Sequence, residues 1–452
     1  MATVNAEVNR VMIAGTGSGC GKTTVCCAIL QALKNRGVNV GAAKCGPDYI
    51  DPMFHRSVIG APSTNLDPFF FDENTLRYLL AKNGTGRALT VTEGVMGYYD
   101  GLGLATSRAG AYDLARIMQT PVILTVNAKG ASLSVLAQIK GFLDFVPESM
   151  IRGAVLNNCT ERVYAALAPE MARRLGIRPL GFLPRMEEAE IGSRHLGLIT
   201  ADEITDLKEK LARLAEQAEK SLDIDGIVEL ARSAPELSFE PVRVEKRDHV
   251  RLAVARDRAF CFYYEDSLGL LRDMGAELVP FSPLADKRLP EGVHGLYLGG
   301  GYPELYAEAL SENVSMRESV RNAVSSGLPC VAECGGFMYL TERIGGKPMA
   351  GAIAGGCRDC GRLTRFGYVM LEAERDNMLC KKGGRIPAHE FHRWDAENCG
   401  DGFTARKTDG REWACVHTSE TLWAGFPHIH FYAEPKFAEG FYNAMLKEKN
   451  RV

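Results

Sequence analysis

Short apolar runs alternate along this chain with longer stretches in which apolar residues recur at helical spacing. The runs RVMIAG (10–15), VNVGAAKCG (38–46), ALTVTEGVMG (88–97), PVILTVNA (121–128), RGAVLNN (152–158) and RPLGFLP (178–184) read as strands, and 21–36, 110–118 and 131–145 as helices. Such alternation predicts a mainly parallel sheet covered on both faces. After Pro184 the pattern changes: 201–233 is charged and helical, with an amphipathic DLKEKLARLAEQAEK, and SAPELSFEPVRVEKRDH (233–249) reads as a linker. A second alternation follows in VRLAVAR, YYEDSLGLLRDMG, AELVPFS, HGLYLGG, a helix across 303–325 and GLPCVAE (327–333). The expectation is α/β with two doubly wound domains, residues 1–245 and 246–452.

Length and composition agree. A chain of 452 residues is long for one core, and 46% hydrophobic with 24% charged residues is ordinary for a globular protein. The 53 basic and 56 acidic residues give a formal net charge of -3, so no bulk basic surface calls for nucleic acid or an anionic membrane. No signal peptide or membrane-length apolar run is evident, which places the chain in the cytoplasm. Its 13 scattered cysteines then read as reduced thiols. CRDC (357–360) has no second pair to complete a zinc site, and in HEFHR (389–393) the second histidine falls one position short of a zinc-protease motif.

IAGTGSGCGKTT (13–24) follows the first strand and opens the first helix, the context of a phosphate loop. Its backbone amides can meet phosphate oxygens, Lys22 supplies a cation, and the Thr23 hydroxyl can ligate magnesium. The ATP-binding candidates are Gly15, Thr16, Gly17, Gly19, Gly21, Lys22, Thr23 and Thr24. The spacing departs from the common motif, with Thr16 at the first glycine position; Gly15, Gly19, Gly21, Lys22 and Thr23 instead resemble the loop of dethiobiotin synthetase and its relatives. KCGPDYIDPMFH (44–55) carries Lys44, Asp48 and Asp51 after the second strand, and Glu93 ends the third. These loops share one sheet edge with the phosphate loop, so Thr23, Asp48, Asp51 and Glu93 are the candidates around Mg2+ and the acceptor.

In VAECGGFMYL (331–340), Cys334 lies on a strand-to-helix turn, where a helix N-terminus lowers a thiol pKa and glycines admit a substrate carbonyl. A buried structural cysteine is the competing reading. A thiol nucleophile needs a base and an oxyanion site. GFPHIHFY (425–432) offers His428 and, as an alternative, His430; Gly300 and Gly301 in LYLGGGYPEL (296–305) offer amides to join that of Gly335.

GGGYPEL, AECGGFMYL and HIHF resemble a triad-type glutamine amidotransferase domain. With GPDYIDP and EGVMGYYDG in the first half, the chain is similar over roughly residues 8–445 to the cobyrinic acid a,c-diamide synthase family. The resemblance implies a P-loop dethiobiotin-synthetase-like amidoligase domain followed by a class I glutamine amidotransferase domain. It implies a ligase that amidates the a and c side-chain carboxylates of cobyrinic acid in cobalamin biosynthesis, using Mg2+, ATP and L-glutamine. Cys334 would be the glutaminase nucleophile and His428 its base, and ammonia would pass to the ATP site by a shielded path. A tetrapyrrole is the implied substrate and a homodimer the family-level expectation.

One feature departs from ordinary triads: the glutamate expected two positions after the base is His430, which leaves open what orients His428. Nickel sirohydrochlorin and hydrogenobyrinic acid are the alternative substrates, since no residue selects among them. HEFHRW, with Gly367 and Tyr368, either touches substrate or braces the domain. A different class, a nucleotide-switched partner-binding ATPase, would leave the second half without a use.

Overall fold

The computed structural model describes residues 3–187 and 207–451, so residues 201–206 of the expected charged helical stretch lie outside the described residues. The chain forms two compact units, Met1–Val242 and Arg243–Val452.

In the first unit, seven parallel strands form one sheet: β1 (Arg10–Gly15), β2 (Val40–Cys45), β3 (Ser63–Leu66), β4 (Leu89–Glu93), β5 (Val122–Asn127), β6 (Ile151–Asn157) and β7 (Arg178–Leu183). Their order is β3-β2-β4-β1-β5-β6-β7, so the chain reverses its direction of travel beside β1. In such a sheet the crevice at the reversal is where ligands bind. The central strands are buried along their whole length, as parallel strands covered on both faces must be. Helix α1 (Lys22–Asn35) packs Val25, Ile29 and Leu33 into a core closed by the helices Leu207–Ser221 and Ile224–Arg232. The expected linker is partly ordered: Leu237–Phe239 pairs antiparallel with Val4–Ala6.

The second unit holds a six-stranded sheet of β8 (Val250–Ala255), β9 (Ala276–Phe281), β10 (Gly295–Leu298), β11 (Cys330–Glu333), β12 (His417–Thr418) and β13 (Leu422–Gly425), ordered β9-β8-β10-β11-β13-β12. All pairings but the β12 edge are parallel. The helix expected across 303–325 is two, Ala307–Glu312 and Val314–Ser325. They break at Asn313, whose amide donates to the carbonyls of Pro283 and Asp286 and holds the backbone out of helical geometry.

Beyond the doubly wound sheet, a five-stranded antiparallel sheet runs Glu412–Cys415, Phe403–Arg406, Arg365–Ala373, Arg385–His392 and His428–Ile429. Its last pairing sets His389 opposite His428. Among the described residues no helix is long and apolar enough to cross a membrane.

Candidate active sites

The phosphate loop turns between β1 and α1. Gly21, at φ 101°, caps α1, and a Cβ there would lie 2.0 Å from Asn157 Nδ2, so the position excludes any side chain. Asn157, at the end of β6, donates to the Cys20 carbonyl at 3.0 Å and braces the loop. Gly19 also has positive φ, Gly15 packs on Cys20, and Gly17 is open. The Thr16 N–H donates to Thr125 O. Lys22 is buried and donates to Gly17 O at 3.0 Å, while Thr24 lies half-buried in the first turn of α1. Burial, helped by Lys44, outweighs Glu93 and Asp100 and lowers the Lys22 pKa.

A carboxylate cluster closes on α1. The Thr23 hydroxyl donates to Glu93 Oε1 at 2.6 Å. Lys44 Nζ is 3.0 Å from the same oxygen and 2.7 Å from Asp51 Oδ2, with all three residues buried. Burial alone would lower Lys44, but Asp51, Glu93 and Asp48 outweigh it and hold its pKa well above the usual lysine value. Burial and Asp51 push Glu93 upward; Lys44 and His55 prevail, leaving it below the ordinary glutamate value. His55 Nε2 stands 3.6 Å from Glu93 Oε2.

Asp48 accepts the N–H groups of Ile50 and Asp51 at 3.1 Å each, at the start of the short helix Ile50–Phe54. Thus Thr23 meets Glu93, Lys44 joins Glu93 to Asp51, and Asp48 reaches Asp51 through the backbone. The donors Thr23, Asp48, Asp51 and Glu93 all offer oxygen, which fits a hard cation such as Mg2+, and Thr23 Oγ1 lies 2.6 Å from Glu93 Oε1. The sequence assigns no role to Lys44, His55 or Asn157, because their part depends on partners 49, 38 and 137 residues away.

In the second unit, Cys334 sits between β11 and helix α2 (Gly335–Leu340) with φ 46° and ψ −102°. This is a strained conformation for a residue with a side chain, of the kind found at nucleophile elbows. Its N–H donates to Gly425 O at 2.7 Å. A Cβ on Gly335 would stand 3.1 Å from Gly301 N, and one on Gly300 would stand 2.5 Å from His428 Cε1. Gly300, Gly301, Gly335 and His428 therefore close around one spot beside the cysteine.

The thiol corrects one expectation: its pKa is raised, not lowered. Burial is the main cause, and the charges of Glu304, Glu390 and Glu333 add to it against the Gly335 N–H, so a single turn of glycine-started helix is overruled. A thiol so placed needs a base to ionise it.

His428 is buried, with Nδ1 3.3 Å from Glu333 Oε2. The Glu333 Oε1 accepts from Tyr297 OH at 3.2 Å and from Ile429 N at 3.4 Å. His430 does not take the orienting place: its Nδ1 accepts the Tyr432 N–H at 3.2 Å, and its ring lies against Tyr264.

HEFHRW divides. His389 stacks on His428, whereas Glu390 accepts from Trp413 and pairs with His392, whose ring lies flat on Phe426. Glu390, His392 and Trp394 brace the domain. Glu333 and Glu304 were missed, since nothing in the sequence distinguishes a carboxylate aimed at a ring from one aimed at solvent.

One unit thus presents a phosphate loop with an acidic cluster and the other a cysteine elbow with a buried histidine: a glutamine-hydrolysing amidoligase. Residues 11–199 match the family described as the CobQ/CobB/MinD/ParA nucleotide binding domain, and 251–436 the CobB/CobQ-like glutamine amidotransferase domain. The cobyrinate a,c-diamide synthase of Caldanaerobacter subterraneus subsp. tengcongensis is 41% identical over 93% of this chain and 95% of its own. Those of Listeria innocua (38%; 95% and 97%) and Thermoplasma volcanium (37%; 98% and 98%) align as fully. The chain belongs to the cobyrinate a,c-diamide synthase family.

Proposed function

We propose that this protein catalyses the ATP- and glutamine-dependent amidation of the a and c carboxylates of cobyrinic acid, a step of cobalamin biosynthesis. The observation that carries the reading is the joining, on one chain of this family, of the Thr23–Glu93–Lys44 cluster at a phosphate loop with the Cys334 elbow beside His428.

In the first unit, residues 1–245 on the sequence boundary, ATP is held by the loop from Gly15 to Thr24, with Lys22 at its phosphates. A substrate carboxylate oxygen takes the γ-phosphoryl group, leaving ADP and an acyl phosphate. Ammonia then attacks the acyl carbon, and phosphate departs with the C–O electron pair. Thr23 and Glu93 would hold Mg2+, with Asp48 and Asp51 beside the acceptor; the ion, when bound, neutralises charge on the transferring group. Positioning and electrostatics carry such a step, and Lys44 keeps the carboxylates ionised and fixed.

In the second unit, His428 takes the Cys334 proton as the sulfur attacks the amide carbon of glutamine. The amides of Gly300, Gly301 and Gly335 receive the oxyanion. The same proton leaves with the nitrogen as ammonia, and water then hydrolyses the thioester to glutamate.

Mass spectrometry of cobyrinic acid and of nickel sirohydrochlorin, each incubated with enzyme, Mg2+, ATP and glutamine, tests the reading. Two acid-to-amide exchanges on cobyrinic acid, supported in Cys334→Ala only by added ammonia, are expected. Exchange on the nickel compound alone would move the substrate, and ATP hydrolysis without either would sink the ligase. Light scattering of the same preparation tests the homodimer.

A further inference from the structure

A histidine base that must form an imidazolium in a buried site needs a carboxylate at its far nitrogen to fix the tautomer and stabilise the charge. The position that normally supplies it is occupied by His430, which is fully buried, accepts a backbone N–H at Nδ1 and is held neutral by burial, with its pKa down to about 3. It has no negative charge to offer. The carboxylate comes instead from the residue immediately before the nucleophile.

We propose that Glu333 is the positioning acid of the glutaminase: its Oε2 holds Nδ1 of His428 and stabilises the imidazolium that forms as Cys334 attacks. The inference rests on the amidotransferase reading of the second unit and adds a residue to it. Four observations carry it.

Glu333 is 1% exposed, and among the described residues His428 is the one basic side chain within ion-pair distance of it. A buried carboxylate is costly unless it is hydrogen-bonded and faces a group that can carry positive charge, and His428 is that group here. Both carboxylate oxygens are engaged, Oε2 by His428 Nδ1 and Oε1 by Tyr297 OH and Ile429 N, so the group cannot rotate away from the ring. Ile429 is the residue after His428, so one carboxylate grips both the backbone and the ring of the base. Finally, the Nδ1–H tautomer that donates to Glu333 leaves Nε2 as the acceptor, and Nε2 is on the side of the ring that faces Gly300, where the oxyanion amides gather. Acid and nucleophile are consecutive in sequence, so the strand β11 and its elbow set both ends of the relay without a third loop.

The test is glutaminase kinetics on the full chain with Glu333→Gln, which keeps shape and removes charge. The expected result is a 100- to 10,000-fold fall in kcat with KM for glutamine within a few fold, and ammonia-dependent amidation unchanged. Peptide-resolved labelling of Cys334 by iodoacetamide would move to higher pH, which a merely structural role would not produce. Glu333→Asp should recover part of the rate. If Glu333→Gln retains kcat within threefold, or leaves the labelling profile where it was, the proposal is wrong.

Should Glu333→Gln not fold, Tyr297→Phe removes one support of the carboxylate and keeps its charge. A roughly tenfold loss of kcat at constant KM supports the proposal, and an unchanged kcat overturns it. Absence of glutamine hydrolysis and of Cys334 labelling in the unsubstituted protein would instead refute the amidotransferase reading, a result distinct from either.

Discussion

The ring of His389 lies on the ring of His428, with centroids 5.0 Å apart and planes 20° from parallel. The two residues are register partners across the pairing of Arg385–His392 with His428–Ile429, so the contact is built into the sheet. Burial first, and the charge of His428 second, push the His389 pKa well below the ordinary histidine value, so the stacked ring is a neutral wall for the base.

Acid stability follows from this wall and from His430. Both histidines are neutral when folded, and an unfolded histidine takes a proton near pH 6.5. The unfolded state therefore binds more protons below that pH, and stability is complete above about 6.5 and falls as pH drops toward the folded pKa. For His430, at about 3, the loss on reaching pH 5 is about 2 kcal/mol. All three tryptophans, Trp394, Trp413 and Trp423, lie in the second unit, so their fluorescence in urea isolates its unfolding. The midpoint should fall between pH 7.5 and pH 5, and His430→Gln should shrink the fall.

The alternation of apolar runs and helical stretches marks six of the seven strands of the first sheet and four of the six of the second, because parallel strands buried on both faces are apolar throughout, as β1, β2 and β4 are; β3, β12 and β13 are not among its runs. Cys334 was legible because a thiol between a strand and two glycines is a local pattern. The antiparallel sheet that carries His389 and His428 was not: its long strand Arg365–Ala373 exposes the apolar Phe366 and Met370, which hides any apolar-polar alternation, and its register with Arg385–His392 is set across the chain. Asp48, Asp51 and Glu93 were legible as carboxylates at strand ends, but not the Lys44 ammonium placed between two of them.

That ammonium makes the cluster asymmetric. Glu93→Gln leaves Lys44 paired with Asp51, so the fold should hold while ammonia-dependent amidation falls by two to three orders of magnitude, the scale of losing a preorganised electrostatic group. Lys44→Met strands two buried carboxylates and should destabilise the first unit by about 3–5 kcal/mol. Chemical denaturation followed by circular dichroism, beside amidation rates, separates the two; equal destabilisation by both would deny Lys44 its place as the counter-ion.

At Gly300 the prediction is steric. Alanine would put its Cβ 2.5 Å from His428 Cε1, a distance the buried ring cannot accept without moving. A misplacement of about 1 Å in a reacting group costs on the order of 100-fold. Gly300→Ala should therefore lose glutamine-dependent amidation by that factor and keep the ammonia-dependent rate. Equal loss of both rates would show that the position serves the fold and not the base.

Glu304 gives the thiol a second pH-dependent neighbour. It follows the short strand Gly300–Gly301, and burial pushes its pKa up to about 7. Its charge is the largest contribution after burial to the raised pKa of Cys334. Below pH 6 the carboxyl is protonated and exerts no charge; above pH 7 it ionises and opposes formation of the thiolate. Glu304→Gln removes that opposition, so iodoacetamide should label Cys334 about threefold to tenfold faster than in the unsubstituted protein at pH 8.5, corresponding to a shift of about half to one unit in the thiol. At pH 5.5 the two proteins should label alike. A constant ratio across the range would mean that the carboxyl acts on the cysteine through packing and not through its charge.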